Sequence, residues 1–137
     1  LFKIIFGLFS KEDKLVALDS LNKVGILDKA YIRADQLSGG QQQRVSLARA
    51  LSQESEILLA DEPVSALDPV TAKEVMDDFK RINEEFNKTI LLNIHHVELA
   101  LEYASRIIAV KKGKIVYDGP SQEVTKEILD EVYRKEA

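Results

Sequence analysis

The chain has 137 residues, 45% of them apolar, 31% charged, with a formal net charge of −4. That composition supports one compact core, since a chain of this size buries roughly two-thirds of its unfolded surface, and it excludes a disordered polymer. Acidic residues number 23 against 19 basic ones, and no basic run exceeds a pair such as Lys111-Lys112, so there is no electrostatic footprint for nucleic acid. The absence of cysteine excludes a disulfide framework and any cysteine-held metal, and the cytoplasm is the natural compartment.

In chain order, the apolar opening from Leu1 to Phe9 falls far short of the ~20 residues that span a bilayer. It lacks a charged leader and a small-residue cleavage site, which argues against a signal peptide. The first residue is not methionine, and the chain reads as an excerpt that begins inside a domain. Residues 11–24 are predicted helical: Leu15, Leu18, Leu21 and Val24 recur every three residues and Gly25 follows as a stop. Residues 26–37 form a mixed connector, and Ser38 to Gln53 a second helix. Ile57-Leu58-Leu59-Ala60 is a short unbroken apolar run, the pattern of a strand buried on both faces. Asp68-Pro69 opens a third helix as cap and first residue, with Val75, Met76, Phe79, Ile82 and Phe86 as its apolar stripe. Thr89 to Ile94 reads as another buried strand and Val97 to Ala104 as a short helix. Ile107–Val110 and Ile115–Tyr117 flank Lys111-Lys112-Gly113-Lys114 as a hairpin that Gly119-Pro120 ends. Residues 121–135 are polar and helical. Alternating strands and helices predict an α/β fold with a parallel sheet, closed by an antiparallel hairpin.

Three segments carry chemistry. In Leu37-Ser38-Gly39-Gly40-Gln41 the spacing of Ser38 and Gln41 is that of a capping box, so the plain reading is a helix start. The two glycines go further, because they remove side chains where backbone must approach something closely, and a helix N-terminus attracts anions. The continuation Gln42-Gln43-Arg44-Val45-Ser46-Leu47-Ala48-Arg49-Ala50-Leu51 makes the pattern more specific. In Ile57-Leu58-Leu59-Ala60-Asp61-Glu62-Pro63, two carboxylates stand at the C-terminal end of a strand, where open α/β sheets place their ligand sites. One can hold magnesium while the other orients or deprotonates a water; the plain alternative is an acidic turn. Ser65-Ala66-Leu67-Asp68 follows, with Asp68 placed to cap the next helix. His95-His96 are the only histidines. His95 lies just past a strand, at the same expected sheet edge as Asp61. A lone histidine there is commonly structural, but carboxylates and imidazoles arriving at one edge favour a site. No third ligand at fitting spacing supports a metal pair, and no Gly-x-Ser-x-Gly elbow supports a serine hydrolase.

Taken together and in order, these segments resemble the ATP-binding cassette (ABC) ATPases over about Leu37 to Gly119. Leu37–Gln41 is similar to the family's signature motif, Ile57–Asp61 to its Walker B strand, Ser65–Asp68 to its D-loop, and His95 to its switch histidine. The resemblance implies a partial P-loop NTPase core of the RecA-like ABC type. Residues 1–36 would come from the end of the helical subdomain and residues 37–137 from the C-terminal part of the ATPase core. It implies ATP and Mg2+ as cofactors. Asp61 would support magnesium through water; Glu62 would polarise the attacking water; His95 would contact the γ-phosphate. Ser38, Gly39, Gly40 and Gln41 would serve the nucleotide of a second, facing ATPase domain, and Asp68 would join the two sites. His96 stands where the family often has Asp or Gln and is given no catalytic role. Partners implied are that second ATPase domain in a homodimer, transmembrane permease subunits and, indirectly, a substrate-binding protein. The place implied is peripheral, on the cytoplasmic face of the membrane.

Within the family the text is most similar to phosphonate-import ATPases, through Gly7–Lys14, Leu27–Gln36 and Leu99–Ala104. Amino-acid, methionine and lipoprotein-release ATPases share much of it. The departure is that no Gly-x-x-x-x-Gly-Lys-Ser/Thr occurs in these 137 residues. The family's first strand, adenine-stacking aromatic and Q-loop glutamine are missing as well. The expectation is an importer's ATPase subunit present as a fragment without Walker A and inactive alone. The alternatives left open are a soluble, non-transport ABC ATPase and a truncated, non-enzymatic partner protein.

Overall fold

The computed structural model describes residues 9–134. The expectations for the apolar opening before Phe9 and for residue 135 fall outside them. The described chain divides into two compact units between Asn93 and Ile94.

The first unit carries α1 (Lys11–Lys23), α2 (Gly39–Leu51), β1 (Ile57–Asp61), α3 (Pro69–Phe86) and β2 (Thr89–Asn93). Helix α1 starts on a capping box: the Ser10 hydroxyl accepts the Asp13 N–H at 3.0 Å and the Asp13 carboxylate accepts the Ser10 N–H at 2.8 Å. It ends in a Schellman turn. The Gly25 N–H donates to Asn22 O and the Ile26 N–H to Leu21 O, both at 3.0 Å, and Gly25 takes the left-handed φ of +70° that this turn requires. The expected stripe of this helix is corrected. Val24 is buried, but Leu15 is 57% exposed and Ser20 is buried instead. Positions three apart slip by about 60° per step on a 3.6-residue helix, so Leu15 and Val24 sit on opposite sides. The connector after α1 holds two short 3-10 turns, Leu27–Lys29 and Ala34–Gln36.

Asp68 caps α3 by accepting the Val70 and Thr71 N–H groups at 3.1 Å each, with Pro69 at the first position, where its missing donor costs nothing. Ala72, Val75, Met76, Phe79 and Ile82 form its buried face; burying each of the larger ones is worth about 1.5–3 kcal/mol relative to exposure. Asn87, left-handed at φ 51°, ends the helix. Asp78 is buried in the same helix and ties three helices together. It accepts from Arg44 Nε of α2 at 2.5 Å and from Arg81 Nη2 at 2.8 Å. Arg81 Nη2 also donates to Lys23 O at the end of α1, at 2.8 Å.

Strands β1 and β2 pair in parallel, Ile57 opposite Thr89 through to Asp61 opposite Asn93. Neither is buried on both faces, which corrects the expectation for Ile57–Ala60 and Thr89–Ile94. Leu58 is buried and lines a cavity of about 210 Å³ with Leu47, Val75 and Phe79. Ile57, Leu59 and Leu91 are 58%, 76% and 57% exposed. Within the first unit, α2 and α3 pack against the Leu58 face of the pair, and the opposite face, with Ile57, Leu59 and Leu91, is exposed.

The second unit carries α4 (Val97–Tyr103), β3 (Arg106–Lys111), β4 (Lys114–Pro120) and α5 (Lys126–Tyr133). β3 and β4 form the expected antiparallel hairpin. Its two-residue turn, Lys112-Gly113, has φ of +49° and +74°, the left-handed pair that matches strand twist. Arg106 clamps Asp118 across the hairpin with two bonds of 2.7 and 2.8 Å. Among the described residues no helix is long and apolar enough to cross a membrane.

Candidate functional site

The turn into α2 is built as its sequence requires. Ser38 Oγ accepts the Gln41 N–H at 3.3 Å and Gln41 Oε1 accepts the Ser38 N–H at 3.0 Å. Helix geometry leaves the Gly39 and Gly40 N–H groups without an intrahelical acceptor. Gln42 holds the approach to the turn, donating to Leu37 O at 3.0 Å and Ala34 O at 3.3 Å. Ser38 and Gly39 are exposed, whereas Leu37 and Gly40 are buried.

At the exit of β1 the two carboxylates are held differently. Asp61 is exposed, and its Oδ1 accepts Asn93 Nδ2 from the paired strand at 2.7 Å. Glu62 has φ +49°, in the left-handed region, where a side-chain-bearing residue pays about 1–2 kcal/mol. Its N–H donates to Asn93 O at 2.9 Å, and its carbonyl accepts the Ser65 N–H at 3.3 Å and the Ser65 hydroxyl at 3.1 Å. Pro63 and Val64, next in the chain, are buried. A strained residue held this firmly is the kind that clusters at functional sites. The reversal separates the two side chains: both Glu62 carboxylate oxygens are shielded from solvent, while Asp61 is open to it.

Among the described residues no group of three or more His, Cys, Asp or Glu could cage a metal ion. Magnesium commonly takes one or two carboxylates and completes its shell with water and substrate phosphates. Asp61, oriented by Asn93 and open to solvent, fits that demand.

Asp68 acts here as a helix cap. Besides the two backbone donors it accepts Thr71 Oγ1 at 2.5 Å. That hydroxyl, followed by the Thr71 and Val70 N–H groups, holds the Asp68 carboxyl below its ordinary value of 3.8. His95 and His96 are both exposed and belong to the second unit. His96 caps α4 through its carbonyl, which accepts the Ala100 N–H at 3.0 Å, and not through its ring.

Asn93, Gln42 and Thr71 were not singled out from the sequence. Asn93 had a legible signal, a polar residue closing an apolar strand two positions before His95. Its partner Asp61, 32 residues away, became apparent only from the strand register.

Fold and motifs are similar to those of ABC-type ATP-binding proteins, and the sequence pattern of the ABC transporter family matches residues 5–65 of the chain. Over its whole length it is 99% identical to the "Phosphonates import ATP-binding protein PhnC" of Lactococcus lactis subsp. lactis strain IL1403, of which it spans 56%. Thus the chain spans about half the length of the curated relatives it matches. Among solved structures, 91% of the chain superimposes on half of a putative metal-chelate type ABC transporter caught in an inward-facing conformation, with a TM-score of 0.86 and 26% identity. The ATP-binding cassette MJ0796, described as a dimer in a post-hydrolysis state bound to ADP and Pi, matches 82% of the chain and 49% of its own, with a TM-score of 0.67 and 37% identity.

Proposed function

We propose that this chain is the C-terminal part of an ATP-hydrolysing subunit that powers an importer, with phosphonates as the transported class. We take residues 1–36 as the end of the helical subdomain and residues 37–137 as ATPase core. The observation that carries the chemistry is the β1 exit, where a parallel strand delivers an open carboxylate tied to Asn93 and a second, shielded carboxylate on a left-handed turn. The near-identity with a protein named for phosphonate import supports the substrate class.

In this reading Asp61 supports magnesium, which supplies charge neutralisation on the nucleotide's phosphates. Glu62 accepts a proton from the attacking water, the role of a general base. His95 contacts the γ-phosphate. The Ser38–Gln41 turn presents its backbone donors to the nucleotide of a facing ATPase domain, and Asp68 helps join the two sites. The dimer of a related cassette supports a paired arrangement. The permease subunits and, through them, a binding protein complete the assembly, with this subunit peripheral on the cytoplasmic side.

The test is uptake of a labelled phosphonate by cells lacking the full-length protein and supplied with it on a plasmid. The parent gene is expected to restore ATP-dependent uptake and Glu62→Gln to leave none. Uptake of another solute class in place of phosphonate would overturn the substrate assignment, and ATP-independent uptake the coupling.

A further inference from the structure

Gly40 is buried, and its surroundings explain why. A Cβ built there would lie 2.5 Å from Thr71 Cγ2, and the neighbour must retreat by about 1 Å to reach ordinary contact. At Gly39 a Cβ would meet only the terminal Leu67 Cδ2 at 3.2 Å, which a flexible leucine can relieve. Thr71 has no such freedom. It is β-branched and stiff at χ1, and its hydroxyl donates to Asp68 Oδ2 at 2.5 Å. Swinging the methyl away from Gly40 would take the hydroxyl off Asp68, the cap of α3.

We propose that Thr71 is a positioning residue that locks the Ser38–Gln41 turn to the Asp68 turn, and that Gly40 is a glycine because Thr71 occupies the space of its side chain. Through one side chain, the backbone of the first turn of α2 and the carboxylate that caps α3 are set in a fixed relation. The depressed titration of Asp68, caused first by the Thr71 hydroxyl, agrees with a tight bond on that side of the lock. This inference rests on reading Ser38–Gln41 as a nucleotide-contacting turn. There the steric demand on Gly40 comes from the protein side, and any displacement of Thr71 disturbs both turns together.

The test is a set of variants in the full-length protein, measuring ATP turnover, KM and thermal stability. A displacement near 1 Å at a positioning contact can cost on the order of 10²-fold, so Gly40→Ala is expected to lower kcat by about that factor. Thr71→Ser keeps the hydroxyl and deletes the methyl. The double variant Gly40→Ala/Thr71→Ser is therefore expected to recover both turnover and melting temperature to near those of Thr71→Ser alone. Thr71→Val keeps the obstructing methyl and loses the hydroxyl, so Gly40→Ala/Thr71→Val is expected to show no recovery. A double variant with serine as inactive as Gly40→Ala overturns the proposal, even when its stability recovers, because the methyl added at Gly40 would then obstruct the nucleotide and not Thr71. Equal rescue by serine and valine overturns it as well. If the parent protein has no ATPase activity, the functional reading fails; the melting temperatures still show whether Thr71 and Gly40 are coupled.

Discussion

Replacing Glu62 separates its chemistry from its backbone. Three variants of the full-length protein are informative: Glu62→Gln, Glu62→Ala and Glu62→Gly. All lack the base, so each is expected to lose ~10²–10⁴-fold in turnover while still binding ATP. Their stabilities should differ for a backbone reason. At φ +49° the alanine variant retains the left-handed penalty, about 1–2 kcal/mol for a residue with a Cβ. Glycine escapes that penalty but loses more chain entropy on folding, about 0.5–1 kcal/mol relative to alanine. The balance leaves glycine ahead of alanine by about 0.5–1 kcal/mol, a gap of about 2 °C in melting temperature for a domain of a few hundred residues. Phosphate release at saturating ATP reads the first effect, nucleotide binding checks that the site persists, and calorimetry reads the second. Glu62→Gln turnover within a few-fold of the parent would remove Glu62 as the base. A glycine variant no more stable than alanine would show that the turn at Glu62 carries no strain.

Other expectations can be measured directly. His95→Ala should cripple hydrolysis and His96→Ala should matter much less; equal losses, or a larger loss at His96, would mean the register of the switch position is wrong. The isolated 137-residue chain should bind no magnesium-ATP in calorimetry and should self-associate in light scattering, because Ile57, Leu59 and Leu91 are more than half exposed on one sheet face. Leu59→Lys should shift it toward monomer, and a clean monomer with micromolar ATP affinity would refute this. Ile82→Ala, at a fully buried position, should cost about 2–5 kcal/mol in urea unfolding; a loss below 1 kcal/mol, on that same scale, would mean the site collapses freely. Finally, the Arg106 hydrogen bonds hold the Asp118 carboxyl below its ordinary 3.8. A carboxyl depressed in the folded state adds stability that is present above the unfolded value and lost as pH falls through the lowered folded one. Arg106→Gln should therefore flatten the acid side of the stability profile below about pH 4, and an unchanged profile would show that the pair contributes nothing measurable.

Local signals were legible wherever a few consecutive residues suffice to satisfy the backbone. The box of Ser38 and Gln41, the cap of Asp68 with Pro69, the stop at Gly25 and the turn at Lys112-Gly113 each close hydrogen bonds within a span of about six residues, so their chemistry is written in the local text. The order of motifs was likewise readable, because order needs no geometry. Contacts between distant segments were not. Asn93 reaches Asp61 only because the two strands align in one register. Thr71 meets Gly40, and Asp78 gathers Arg44 and Arg81, only because α3 packs beside α2. The left-handed backbone of Glu62 also went unforeseen, since nothing in a glutamate announces a positive φ. Burial was misread for the same reason. An apolar run such as Ile57–Ala60 states how much surface could be covered, but which face is covered depends on the elements stacked against it, and here α2 and α3 lie on one side alone.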